Sequence, residues 1–124
     1  MASIDRAYVT IGLVTLVLGM LLGFYIGAAG DNKYLDVHVA LLLSGFVVLT
    51  LYGCVYRLWP SLKHAAFAKA QFWSAAIGSL SLPMGAAMVA NQMGVAVAAA
   101  GAVFAIVGAV LMLWIFWSRN GKVP

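Results

Sequence analysis

Long apolar stretches separated by short polar segments organise this chain. Residues 7–30 carry no charged side chain, and a second uncharged run covers residues 37–56. A third uncharged run covers residues 70–118. One crossing of a bilayer takes about 20 apolar residues, so the third run is long enough for two crossings. The polar residues 91–94, with the sequence Asn-Gln-Met-Gly, lie within it and predict a tight turn there.

This pattern predicts four transmembrane helices. We place them at about residues 7–30, 36–59, 70–90 and 94–117. The helices leave no room for a soluble domain, so we expect residues 1–124 to form a single integral membrane domain. The expected fold class is all-α, a four-helix transmembrane bundle. The first stretch is longer than the apolar core of a signal peptide, so we expect it to be retained. Pro83 lies within the third helix, where it predicts a kink.

Composition supports the membrane assignment. Of the 124 residues, 65% are hydrophobic and 8% are charged, whereas about a quarter of the residues of a soluble domain are charged. So few charges could not cover a water-facing surface, and we expect the lipid bilayer to be the main partner. The net charge of +4 does not indicate a nucleic-acid partner. The basic residues lie near the ends of the apolar stretches, where they would meet lipid headgroups.

The distribution of basic residues predicts the orientation in the membrane. All but one of the seven fall on the same side of a four-helix arrangement. These are Arg6, Arg57, Lys63, Lys69, Arg119 and Lys122. Only Lys33 falls on the other side. The positive-inside rule therefore predicts that both the N- and C-termini are cytoplasmic, together with the loop at residues 60–69.

A row of glycines marks one face of the first predicted helix. Gly19, Gly23 and Gly27 recur at every fourth position, and such a row lets another helix approach closely. The approaching helix belongs either to the same chain or to another subunit, and the sequence leaves both alternatives open. The second alternative would make the protein a homo-oligomer or a subunit of a membrane complex.

His38 is the candidate site residue, because it is the only histidine inside an apolar stretch. A histidine within a membrane span is expensive and usually has a partner or a role. Its neutral imidazole is a good ligand for a metal ion or a haem iron. The alternative is a shallow histidine that hydrogen-bonds water or Asp36. His64 cannot share a cofactor with it in one protomer, because helix two alone separates them by ~28 Å.

Any second ligand for His38 would come from another helix, another subunit or water. The candidate side chains on the other helices are Met20, Tyr25, Met84, Met88 and Met93. Methionines in such positions more often serve as soft packing than as ligands.

Other catalytic constellations are missing from the sequence. It contains no Cys-x-x-Cys-His haem-attachment motif, no phosphate-binding loop and no pair of intramembrane carboxylates. An enzyme is therefore not favoured. Cys54 is the sole cysteine and cannot form a disulfide within the chain. Tyr52 and Tyr56 share a helix face, where packing is favoured over a proton path.

Several short motifs of the second and third helices form a pattern known from one family. The pattern consists of His38, Ser44-Gly45-Phe46, Gly53, Tyr56, Leu58, Pro60, Gln71-Phe72-Trp73 and Ile77-Gly78. It resembles the C-terminal part of the catalytic subunit of haem–copper oxidases, closest to the cbb3 type, over about residues 36–90. The four helices would match the last four of that subunit. The chain also looks like short four-helix bacterial membrane proteins that carry this block alone.

The resemblance implies a role for His38. It matches the first histidine of a His-x-His pair, which in the family binds the high-spin haem iron. Ala40 replaces the second histidine of the pair, which binds the low-spin haem, and Gln71 replaces a third histidine. The copper ligands belong to helices that this chain lacks, so a complete oxygen-reducing haem–copper centre is not expected.

The resulting hypothesis is an integral membrane protein related to cytochrome oxidase subunit I. In this hypothesis His38 binds haem b or a metal ion, for electron transfer, sensing or haem handling. The resemblance further implies a multi-pass protein of the bacterial inner (cytoplasmic) membrane. The alternative is a structural accessory or assembly subunit of a membrane complex that binds no cofactor.

Overall fold

A computed structural model describes residues 3–119, and within that range the chain forms helices and turns but no strand. Four helices are long and apolar enough to cross a bilayer, as the sequence predicts. They are α1 (Ile4–Ala29), α2 (Leu35–Leu58), α3 (Ala68–Ala90) and α4 (Ala96–Arg119). Lys122, which contributed to the predicted orientation, lies outside the described residues. The cytoplasmic location of the termini stays a prediction.

The helix boundaries differ slightly from those predicted, and each difference has a local cause. Helix α1 begins at Ile4 and includes Asp5, because that carboxylate is neutralised by cations of the same chain. Helix α1 ends where Gly30 adopts the left-handed conformation at φ 64°. Helix α4 begins only at Ala96, because Gly94 has a φ of 97°, which a helix cannot contain. The predicted turn at residues 91–94 is confirmed.

The bundle consists of two helical hairpins. Helix α1 packs along α2, α3 packs along α4, and the two pairs meet mainly through α2 and α3. At one end of the bundle, which we call the basic end, lie Arg6, Arg57, Lys63 and Lys69. A 3-10 turn, Pro60–His64, leads from α2 towards α3 there, and its Leu62 is buried. At the opposite end, the Lys33 ammonium donates a hydrogen bond to the Asn91 side-chain carbonyl at 3.0 Å.

Glycines on both helices make the α3–α4 contact unusually close. A Cβ added to Gly78 would meet the backbone of Ala105, and one added to Gly108 would lie 2.9 Å from the backbone of Ala75. Gly85 and Gly101 approach the facing helix in the same way. Because lipid gives little hydrophobic drive for helix association, such close van der Waals contact is the main source of pairing energy.

Helices α2 and α3 both depart from regular α-helical bonding where they meet. Residues Leu41–Val47 of α2 form π-helical turns. In α3, Pro83 lacks the N–H that would bond to the carbonyl of Ser79. The Ser44 hydroxyl lies 2.7 Å from the Ala40 carbonyl and also 3.4 Å from the Ser79 carbonyl. A polar side chain of the π-helical segment thus lies beside the carbonyl that the proline leaves without a helical donor.

The side chain of Gln71 joins all four helices. Its amide oxygen accepts hydrogen bonds from the hydroxyls of Tyr8 on α1 and Tyr56 on α2, at 2.5 and 3.1 Å. Its amide nitrogen donates to the Gly108 carbonyl on α4 at 3.1 Å. Both tyrosines and Gln71 are 0% exposed. The Gly108 carbonyl can only accept a hydrogen bond, so the amide nitrogen of Gln71 must face it. The amide oxygen then faces the two phenol hydroxyls, which can donate.

The buried carboxylate of Asp5 makes a second set of polar contacts between elements, at the basic end. Asp5 is 3% exposed. One of its oxygens lies 2.8 Å from the Arg57 guanidinium, and the other lies 3.1 Å from the Lys63 ammonium. The ion pairs connect the start of α1 to the end of α2 and to the 3-10 turn. Two cations on one buried carboxylate satisfy both of its oxygens.

Replacing Gln71 should destabilise the bundle more than removing either tyrosine hydroxyl. Gln71→Leu leaves the buried hydroxyl of Tyr56 without a partner and leaves that of Tyr8 only a 3.4 Å contact to the backbone carbonyl of residue 71, so we expect a loss of about 2 kcal/mol or more. Tyr56→Phe removes only a donor, and Gln71 keeps its bond to Tyr8, so a loss near 0.6 kcal/mol is expected. Thermal or denaturant unfolding in detergent measures both. Equal losses would contradict the joining role of Gln71.

Enlarging a glycine on the α3–α4 contact should weaken that contact. Gly78→Leu would force a side chain into the backbone of Ala105, at a cost of about 1–3 kcal/mol or more. Gly27→Leu is the matched control, because nothing lies within 4 Å of a Cβ added at Gly27. The melting temperature of the purified protein should fall for the first variant and stay nearly unchanged for the second. Similar melting temperatures for both variants would contradict the close contact.

Candidate functional site

The imidazole of His38 lies against helix α1, where Gly23 makes space for it. Its Cε1 atom would be 2.6 Å from a Cβ added at Gly23, so any larger residue there would collide with the ring. Its Nδ1 atom lies 2.8 Å from the carbonyl oxygen of Gly19, one helical turn away. The side chain is partly buried. The contact between α1 and α2 therefore holds the ring in one position.

This hydrogen bond determines which ring nitrogen carries the proton. A carbonyl oxygen can only accept, so Nδ1 must be the donor. In the neutral imidazole the lone pair then belongs to Nε2, and no described residue hydrogen-bonds that atom. Histidines that bind metals commonly donate their other N–H to a backbone carbonyl, which fixes both the tautomer and the ring orientation.

Asp36, which the sequence suggests as an alternative partner of His38, is not the partner found. Asp36 is exposed and, within residues 3–119, makes no hydrogen bond to the ring. The observed partner is a backbone carbonyl of α1, which carries no sequence signal of its own. His64 is exposed in the 3-10 turn beyond the opposite end of α2.

Most of the side chains that could supply a second ligand for His38 lie on the surface of the described bundle. Met20, Tyr25, Met84 and Met93 are all at least half exposed on the helix surfaces. Met88 is partly buried. Among the described residues, no group of three or more His, Cys, Asp or Glu side chains could hold a metal ion. Within residues 3–119, His38 is therefore not part of such a group.

The glycine row of α1 serves the packing of this chain for most of its length. A Cβ at Gly19 would lie 2.7 Å from the Leu42 side chain, and Gly23 faces His38, so both glycines are covered by α2. Gly27 has nothing within 4 Å. Of the two alternatives left open by the sequence, contact within the chain applies at Gly19 and Gly23, and only Gly27 remains available for a subunit contact.

Sequence reasoning did not identify Gln71 and Asp5 as residues that connect the helices. Gln71 was noted only as the replacement for a histidine, although an amide in a long uncharged run is itself a signal of a buried hydrogen-bonding partner. Tyr56 was assigned to packing, and it does pack, with its ring 5.9 Å from that of Tyr8. Its hydroxyl bond to Gln71 was not predicted.

The tautomer of His38 is directly measurable. Labelling the His64→Gln variant with ¹⁵N-histidine leaves His38 as the sole labelled residue, since the chain has 2 histidines. At about pH 8.5, where an ordinary imidazole is neutral, we expect the ¹⁵N chemical shifts of an Nδ1–H tautomer. An Nε2–H tautomer would contradict the bond to Gly19. The unmodified protein provides the control, because an exposed His64 should show an averaged tautomer mixture.

Comparisons with known proteins add no relative to this description. The chain matches no protein-family model, no curated protein and no solved structure. The assignment as a multi-pass membrane protein therefore rests on the four helices themselves. The candidate site rests on His38, which is held between two of them.

Proposed function

We propose that this multi-pass membrane protein binds a haem b through the Nε2 atom of His38. The proposed role is non-enzymatic, in electron transfer, sensing or haem handling, in a chain whose sequence motifs resemble those of the last four helices of cytochrome oxidase subunit I. That resemblance is the ground for proposing the bacterial inner membrane as its location. The basic residues at one end of the bundle are the ground for proposing that both termini are cytoplasmic.

The observation that carries this proposal is the hydrogen bond from His38 Nδ1 to the Gly19 carbonyl. It leaves the Nε2 lone pair available and fixes the ring plane before any ligand arrives. The bond also makes the imidazole a stronger donor towards a metal, because the carbonyl draws on the Nδ1 proton. A histidine that served only as a polar surface group would not need a glycine opposite its ring.

A bound haem would supply one-electron chemistry or gas binding at its iron. The chain's own contribution is to hold one ligand. Gly23 gives the ring its space, Gly19 sets its tautomer, and α2 fixes the height of His38 near the end of the bundle opposite the basic end. Because Ala40 and Gln71 stand where the family has histidines, His38 is the one histidine of the pattern that would hold a haem.

Absorption spectroscopy tests this proposal. Protein purified from cells grown with a haem precursor should show a Soret band near one equivalent per chain, with a shift on reduction by dithionite. His38→Ala should remove the band. His64→Ala is the matched control and should keep it, because His64 lies in the exposed 3-10 turn.

A structural accessory or assembly role is the second candidate. The observation in its favour is an exposed surface near the end of α1 that the described residues do not cover. No atom of a facing element in residues 3–119 lies within 4 Å of a Cβ added at Gly27, and Phe24 is 79% exposed. A partner helix could pack there. Colourless protein, even after added haemin, together with recovery in a defined oligomer or complex would favour this candidate and reject the first.

A further inference from the structure

A groove opens between α1 and α2 at the basic end of the bundle. It has a volume of about 310 Å³. Arg6, Val9 and Thr10 of α1 line it, together with Gly53, Cys54 and Arg57 of α2. The groove therefore combines two guanidinium groups with apolar wall atoms, at the level where the helices end and lipid headgroups begin.

The Arg57 guanidinium of the groove is held in position before any anion binds. One nitrogen of the Arg57 guanidinium is held by the buried carboxylate of Asp5, at 2.8 Å, while 73% of the side chain stays exposed. A guanidinium has five N–H donors, so most of those of Arg57 remain available. The salt bridge fixes the group in place, which lowers the entropy lost when it binds an anion.

The net charge around the groove is positive. Asp5 is the one anion in the lining, and it is shared by Arg57 and by Lys63. Arg6 is exposed and makes no hydrogen bond through its side chain to another described residue. A negatively charged group entering the groove would thus meet Arg6 and the outer donors of Arg57, both suited to phosphate oxygens.

The apolar part of the groove restricts the kind of anion. Gly53 lies so close to α1 that an added Cβ would be 2.8 Å from Val9, which makes a shallow floor between the helices. Such a floor suits the glycerol backbone and first methylenes of a lipid rather than a small hydrated ion. We propose that this groove binds an anionic phospholipid of the bilayer, with its phosphate at Arg6 and Arg57. The proposal does not depend on haem binding at His38.

Native mass spectrometry of the detergent-purified chain tests the proposal. We expect the first phosphatidylglycerol molecule to bind at least about fivefold more tightly than the first phosphatidylcholine, the factor expected for one basic residue near an anionic headgroup. Arg6→Gln should weaken phosphatidylglycerol binding about fivefold and phosphatidylcholine binding less, because the choline ammonium offsets the charge of the phosphate in that lipid. Arg6 is preferred over Arg57 for this change, because losing Arg57 would unpair the buried Asp5.

Two further variants distinguish lipid binding in the groove from general electrostatic attraction to the basic end. Lys69→Gln removes an exposed cation at the same end but outside the groove, and should leave phosphatidylglycerol binding within about twofold. Thr10→Trp fills the groove without changing charge and should weaken phosphatidylglycerol binding as Arg6→Gln does. Both replaced side chains are exposed, so the melting temperatures should be retained.

Three outcomes would overturn the proposal. The first is equal affinity of the unmodified protein for the two lipids. The second is an equal loss in Lys69→Gln and Arg6→Gln, which would mean unspecific attraction at this end. The third is unchanged phosphatidylglycerol binding in Thr10→Trp, which would locate the lipid elsewhere.

Discussion

The hydrocarbon core of a bilayer cannot hydrogen-bond a polar side chain, and the structure depends on how this chain meets that constraint. Gln71 is the main instance, because its one amide binds a hydroxyl from α1, a hydroxyl from α2 and a carbonyl from α4. Asp5 is satisfied by two cations, and Ser44 lies beside the carbonyl that Pro83 leaves without a donor. Among the described residues, Thr50 is the exception, since its buried hydroxyl has no hydrogen-bond partner.

The buried hydrogen bonds and the close contacts at glycines stabilise the bundle in different ways. Close backbone approach joins α3 to α4 through Gly78 and Gly108, whereas side chains of α2 pack against Gly19 and Gly23 of α1. These contacts have no strong orientation of their own, whereas a hydrogen bond between buried groups specifies one register. Gln71 connects the two hairpins and so fixes how they face each other. At the other end of α2, Nδ1 of His38 is hydrogen-bonded, whereas no described residue hydrogen-bonds its Nε2. The available Nε2 makes His38 the candidate ligand.

The sequence predicts the four helices well because each apolar run has the length of a membrane and the polar breaks are sharp. It predicts the start of α1 less well, because the uncharged run begins at residue 7 whereas the helix begins at Ile4 and includes Asp5. The ion pairs with Arg57 and Lys63 bring it inside, and they join residues far apart in the chain. The π-helical turns of α2 and the partner of His38 could not be predicted either, since both involve backbone groups that every residue shares. His38 itself stood out, because a lone histidine in an apolar run is conspicuous.

The central claim is that Nε2 of His38 is the ligand atom and Nδ1 the fixed donor. Pulsed electron paramagnetic resonance of the oxidised, haemin-loaded His64→Gln protein, with histidine labelled by ¹⁵N at Nε2 alone, tests it most directly. The account predicts a strong ¹⁵N hyperfine coupling from one directly bound nitrogen in each haem-containing chain. A haem signal without that coupling, or a strong coupling that appears only when Nδ1 carries the label, would contradict it.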